Sequence, residues 1–159
     1  MALIPDIIDS WHAPAKGLRR HLARPRSEPF AFTFLVTFLL ISFVAQWPSA
    51  SRTAYLHPDQ PMVQTLVATG LALLATIPLW YGLAALARLI AQGLGGKGTW
   101  YGARLALFWA LVTVSPAMLL QGLTAGFLGQ GPQATALNIA IGLAFLTLWV
   151  FMLREAERG

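Results

Sequence analysis

Four long apolar stretches divide the chain, and turn-forming or charged residues punctuate the intervals between them. The first, Phe30 to Trp47, carries no charge and lies between Glu28-Pro29 and Pro48. It is long enough to cross a hydrocarbon core of about 30 Å as a helix. The second runs from Met62 and continues through Arg88 to Gly93, which predicts a helix that outruns the bilayer and lets Arg88 snorkel to the headgroups. Gly93-Leu94-Gly95-Gly96-Lys97-Gly98 then predicts a turn, and Gly129-Gln130-Gly131-Pro132 predicts another. The spacing gives spans at about 30–47, 62–88, 103–127 and 134–153, the last stopping at Arg154-Glu155-Ala156-Glu157-Arg158. The predicted fold is an all-α polytopic membrane helical bundle. It comprises a basic amphipathic arm, 1–28, and a transmembrane domain of four helices, 29–159.

Within the arm, Leu3, Ile4, Ile7, Ile8 and Trp11 recur at helical spacing. Pro5 suits a first helical turn, and Asp6 and Asp9 complement the positive end of the helix dipole. Beyond Pro14, Leu18 and Leu22 lie among Lys16, Arg19, Arg20, Arg24 and Arg26. That pattern predicts an N-terminal amphipathic interfacial helix with its cations toward anionic lipid, each basic residue contributing about 1 kcal/mol near the surface. A second reading of the same residues is that they only set topology ahead of the first span.

Composition sharpens the picture. Of 159 residues, 57% are hydrophobic and 11% charged, which excludes an ordinary soluble domain and leaves no room for a separate one. The net charge of +5 sits beside apolar segments rather than on a soluble basic face, so the expected partner is the lipid bilayer with its anionic lipids and not nucleic acid. Nine of the eleven basic residues are Arg, a bias that points to a GC-rich bacterial genome. Ten of the eleven fall in the arm, the second loop and the tail, against Arg52 in the first loop. By the positive-inside rule both termini are expected to be cytoplasmic, in a bacterial inner membrane. A cleaved signal peptide is disfavoured because the region before the first span is too long for an ordinary n-region.

Candidate chemistry is sparse. No Asp, Glu, Lys or His occupies the middle of a span, which argues against a proton relay or an intramembrane metalloenzyme. His12, His21 and His57 show no metal-ligand spacing, and the chain has no Cys, so no metal site and no ligated cofactor are expected. Gly95-Gly96-Lys97-Gly98 lacks the earlier Gly and the Ser or Thr of a phosphate loop and reads as a hairpin turn. Pro78 and Pro116 fall near the middles of spans two and three and predict helix kinks, with the Ser115 hydroxyl helping to satisfy a freed carbonyl. Gly122 and Gly126 form a GxxxG pair, and Ala136, Ala140 and Ala144 continue the small-residue theme as a helix-packing interface. Trp47, Tyr55, Trp100, Tyr101 and Trp149 read as an interfacial belt.

Tyr81-Gly82 in a helix, the Gly95-Gly96-Lys97-Gly98-Thr99-Trp100 turn, Ala103-Arg104-Leu105-Ala106 and then Pro116 resemble bacterial members of the Yip1 family. The resemblance implies a membrane bundle with a cytoplasmic amino-terminal arm, no catalytic residues and roles through protein partners. The leading functional expectation is a non-catalytic adaptor or accessory subunit of a larger membrane complex. A membrane-protein partner or a homo-oligomer is expected with it, and Arg88 and Arg104 join the arm cations as headgroup-facing residues. The alternative is a small-solute or lipid transport element acting as an oligomer, with Thr76, Gln121 and Asn138 lining a path. A weaker third is a lipid enzyme in which Arg88, Arg104, Trp100 and Tyr101 meet at the cytoplasmic face.

Overall fold

A computed structural model describes residues 3–158, which form eight helices and no strand. They are α1 (Leu3–His12), α2 (Pro14–Leu22), α3 (Glu28–Ala45), α4 (Trp47–Leu56), α5 (Met62–Ala75), α6 (Ile77–Gly93), α7 (Trp100–Leu128) and α8 (Pro132–Ala156). Four stretches are long and apolar enough to cross a membrane: Glu28–Leu56, Met62–Gly93, Trp100–Leu128 and Pro132–Ala156. The second span starts at Met62, the predicted limit, the others begin two or three residues earlier, and all four end later, the first by most of a helix. Local signals set the starts. The Ser27 hydroxyl accepts from Phe30 N at the head of α3, Thr99 accepts from Gly102 N at the head of α7, and α8 opens on Pro132.

The first two spans are each made of two helices. α3 gives way to α4 at Gln46, and α5 to α6 at Thr76, in each case two residues before a proline that cannot donate to the turn behind it. At the second break the Thr76 hydroxyl donates to the Leu73 carbonyl at 2.6 Å and accepts from the Trp80 indole at 3.0 Å. α7, by contrast, is helical straight through Pro116. The carbonyl of Val112, which Pro116 cannot serve, accepts from the Ser115 hydroxyl at 2.7 Å.

α7 is the axis of the molecule. It packs against α3, α8, α4 and α6 and contributes more buried side chains than any other helix, including Trp109 and Phe108 with no exposed surface. None of the residues of α5 is buried. Arg52, expected in the first loop, instead sits on α4 and donates to the carbonyls of Gly126 (3.3 Å) and Phe127 (3.1 Å), closing the last turn of α7.

The arm is two helices, α1 and α2, parted just before Pro14 and folded as a hairpin docked on α7 and α8. Arg20 ties the two helices together through Asp6 (3.0 Å) and Asp9 (2.8 Å). Gly17 lets them cross, because a Cβ there would overlap the Ser10 hydroxyl. The docked face carries polar groups: Ser10 and His21 are buried while Ile4 and Ile8 are exposed.

Candidate functional site at the arm end of the bundle

The arm, the α6–α7 turn and the tail after α8 converge at one end of the bundle. Gly95 adopts a positive φ of 88°, which an L side chain would strain. Gly96 and Gly98 then press against the tail so closely that a Cβ at either would overlap Glu157 or the Ala156 carbonyl. The backbone N–H of Lys97 donates to the Glu157 carbonyl at 3.0 Å, and that of Gly98 to Glu157 Oε2, also at 3.0 Å. The same carboxylate oxygen accepts from Arg88 Nη1 at 2.9 Å. Both side chains of this pair are 9% exposed, so it is a buried, charge-assisted clasp between α6, the turn and the tail. Arg88, expected to extend toward the headgroups, is thus paired inside the chain with Glu157.

Around this clasp lies a second layer of charge. Arg104 on α7 pairs with Glu28 at the head of α3. Arg19 donates to Glu155 at 2.7 Å, joining α2 to the end of α8. Arg24 lies over the Phe30 ring with its guanidinium 5.4 Å from the centroid. Lys16 is exposed. Between these groups is a cavity of about 580 Å³ whose lining includes Arg26, Glu28, Arg88, Trp100, Tyr101 and Arg104. Tyr101, expected in the aromatic belt, is buried, and its hydroxyl has no hydrogen-bond partner. The Nε atoms of Arg88 and Arg104 are likewise buried and unpartnered.

Deeper along α7 the hairpin supplies an aromatic nest. The His21 ring stands 4.2 Å from Trp109 and 5.1 Å from Phe34, centroid to centroid, with Phe30 at 6.0 Å. Burial drives its pKa down to about 4, and Arg24 and Arg20 push the same way against Asp6, so the ring is neutral near pH 7. The Trp109 indole donates to the Ser10 hydroxyl at 3.0 Å, which in turn donates to the Asp6 carbonyl at 2.7 Å. The Trp11 indole reaches the Thr113 carbonyl at 3.0 Å.

The small residues divide into two sets. Gly122 and Gly126 abut α3 and α4 within the chain, where a Cβ would overlap the Ala45 carbonyl oxygen and the Pro48 side chain. Ala136 and Ala140 are exposed on α8, with Ala144 half-buried on the same helix. Arg88 and Arg104 share the cavity, as the enzyme reading required, but the carboxylates near them, Glu28 and Glu157, are each held in an ion pair. Missed in the sequence were Ser10, His21 and Glu157, whereas Tyr101 lies with Arg88, Arg104 and Trp100 as the third reading grouped them. Of the three, only Glu157 carried a signal, as an acidic residue alternating with cations where the last span ends.

Three apolar helical spans packed around a fourth, α7, with ionisable groups gathered at one end, define a multi-pass helical membrane protein in contact with lipid along its spans. The Yip1 domain model matches residues 8–158, nearly the whole chain, and the protein belongs to that family. No curated protein and no solved structure matches it. The Gly95-Gly96-Lys97-Gly98 turn, on which the resemblance rested, is where the tail closes onto the bundle.

Proposed function

We propose that this chain is a non-catalytic adaptor or organising subunit of a bacterial inner membrane complex, with its arm, α6–α7 turn and tail cytoplasmic. The orientation is supported by the ten-to-one distribution of basic residues between alternate segments. The observation that carries the adaptor reading is the exposure of Ala136 and Ala140 on α8 while Gly122 and Gly126 are consumed inside the chain. A small-residue face at membrane depth admits close approach of another helix, and here that helix belongs to another chain. Span two adds to the available surface, since α5 contributes nothing buried. The cations of the arm end supply contact with anionic lipid.

The test is a gentle native purification of the tagged chain followed by mass spectrometry of what accompanies it at stoichiometric yield. The expected result is one defined membrane-protein partner that Ala140→Ile releases and Leu120→Ala, on an exposed face of α7, retains. A chain that emerges alone, or only as a homo-oligomer, defeats this reading.

A further inference from the structure

Three unpartnered donors at the arm end belong to side chains lining one cavity, whereas Glu157 Oε1 and the His21 ring nitrogens, also unpartnered there, belong to side chains outside its lining. The three donors are Arg88 Nε, Arg104 Nε and the Tyr101 hydroxyl. Arg88 is 8% and Tyr101 6% exposed, so water does not readily serve them from outside. A buried donor left without an acceptor costs about 1–3 kcal/mol, and three such donors border this cavity. Their common need is a ligand rich in acceptor oxygens. Charge narrows the choice further. Arg88 and Arg104 are matched by Glu157 and Glu28, while Arg26 on the cavity wall forms no ion pair among the described residues. The three guanidinium groups and two carboxylates leave one positive charge over.

We propose that this cavity binds a phosphate group through Arg26, Arg88, Arg104 and Tyr101, and that its charge balance selects a monoanionic phosphodiester. Guanidinium forks suit phosphate oxygens geometrically, and a diester offers acceptors without competing donors. Trp100, 47% exposed at the rim, supplies the amphipathic ring common at headgroup level. A phospholipid headgroup and a small soluble phosphate share this chemistry. The lipid source rests on the reading above that this end lies among headgroups; the phosphate site itself does not.

The experiment uses the full purified chain. In nanodiscs of phosphatidylcholine containing phosphatidylglycerol, native mass spectrometry is expected to show about one phosphatidylglycerol retained per chain. In detergent, glycerophosphoglycerol, a soluble phosphodiester, is titrated and followed by phosphorus NMR, with inorganic phosphate as the comparison it is expected to outbind. Binding in the nanodisc alone assigns a lipid ligand, and binding in detergent assigns a soluble one. Arg26→Gln and Tyr101→Phe remove no hydrogen bond or ion pair of the folded chain. They are expected to weaken the observed binding roughly tenfold and roughly fivefold respectively. Arg154→Gln, a cation of the same end outside this cavity, is expected to leave it unchanged. Binding in neither arm overturns the proposal, as does an equal loss with Arg154→Gln, which identifies diffuse surface attraction. Neither result bears on partner co-purification, so the two readings fail separately.

Discussion

The two halves of α7 have the same apolar character and opposite surroundings. From Tyr101 to Ser115 every residue is buried except Arg104, whereas from Pro116 to Leu128 only Gly122 and Ala125 are. Nothing in the hydropathy of the two halves announces this. The difference comes from the α1–α2 hairpin, which closes over the first half beside α3, α6 and α8 and never reaches the second. In a bilayer, lipid tails are as apolar as leucine, so an apolar helix face says where the chain resides and not what it packs against. The protein core is therefore made where a non-spanning segment folds back on a spanning one.

The contrast breaks most visibly at Trp109. Replacing it with Ala empties a fully buried site and strips Ser10 of its donor; the expected loss is about 3–5 kcal/mol, against under about 1 kcal/mol for Leu120→Ala on the open half. Denaturant titration followed by circular dichroism in one detergent compares the two, and equal losses would mean the halves are not differently packed.

His21 offers a pH test of the same docked hairpin. Its folded pKa of about 4 lies below the unfolded value near 6.5, so between those values the unfolded chain binds more protons. The contribution is fully present above pH 6.5 and is lost as pH falls toward 4, by on the order of 3 kcal/mol at most. His21→Phe is expected to flatten that part of the stability profile, and an unchanged slope would place His21 outside the folded core.

Gly122→Ala sharpens the comparison from the other side, because the open half of α7 is held at one close crossing. Its Cβ would overlap the Ala45 carbonyl, with an expected cost of about 1–3 kcal/mol. At Gly142, where no neighbour lies within 4 Å, the same change is expected to gain up to about 1 kcal/mol from helix propensity. Thermal melts of both variants settle the sign. The smallest expected effect is at Arg52→Gln, about 0.5–1 kcal/mol, from losing a cation at the carbonyl end of α7. Faster hydrogen exchange confined to the last turn of α7 would register it.

What was legible in the sequence followed from long-range hydropathy and local punctuation. The apolar runs showed the spans, Gly95 to Gly98 showed the turn, and Ser115 showed how Pro116 is accommodated. The arm's helical periodicity was legible too, but its orientation was not. Ile4 and Ile8 keep an exposed apolar face, and Ser10 is the residue of α1 that goes inside, because Asp6 and Trp109 satisfy its hydroxyl. Arg88 misleads for the same reason. A cation at the end of a span reads as lipid-facing unless its counter-ion is known, and Glu157 comes from the far end of the chain.

That separation also has a meaning in time. Arg88 and Glu157 are 69 residues apart, and chains grow at about 5–20 residues per second, so roughly 3–14 s pass between the appearance of the cation and of its carboxylate. Through that interval Arg88 lacks its carboxylate, and the α6–α7 turn has no tail to close against. The order of synthesis makes this end the last part of the bundle to lock, after all four spans are in place.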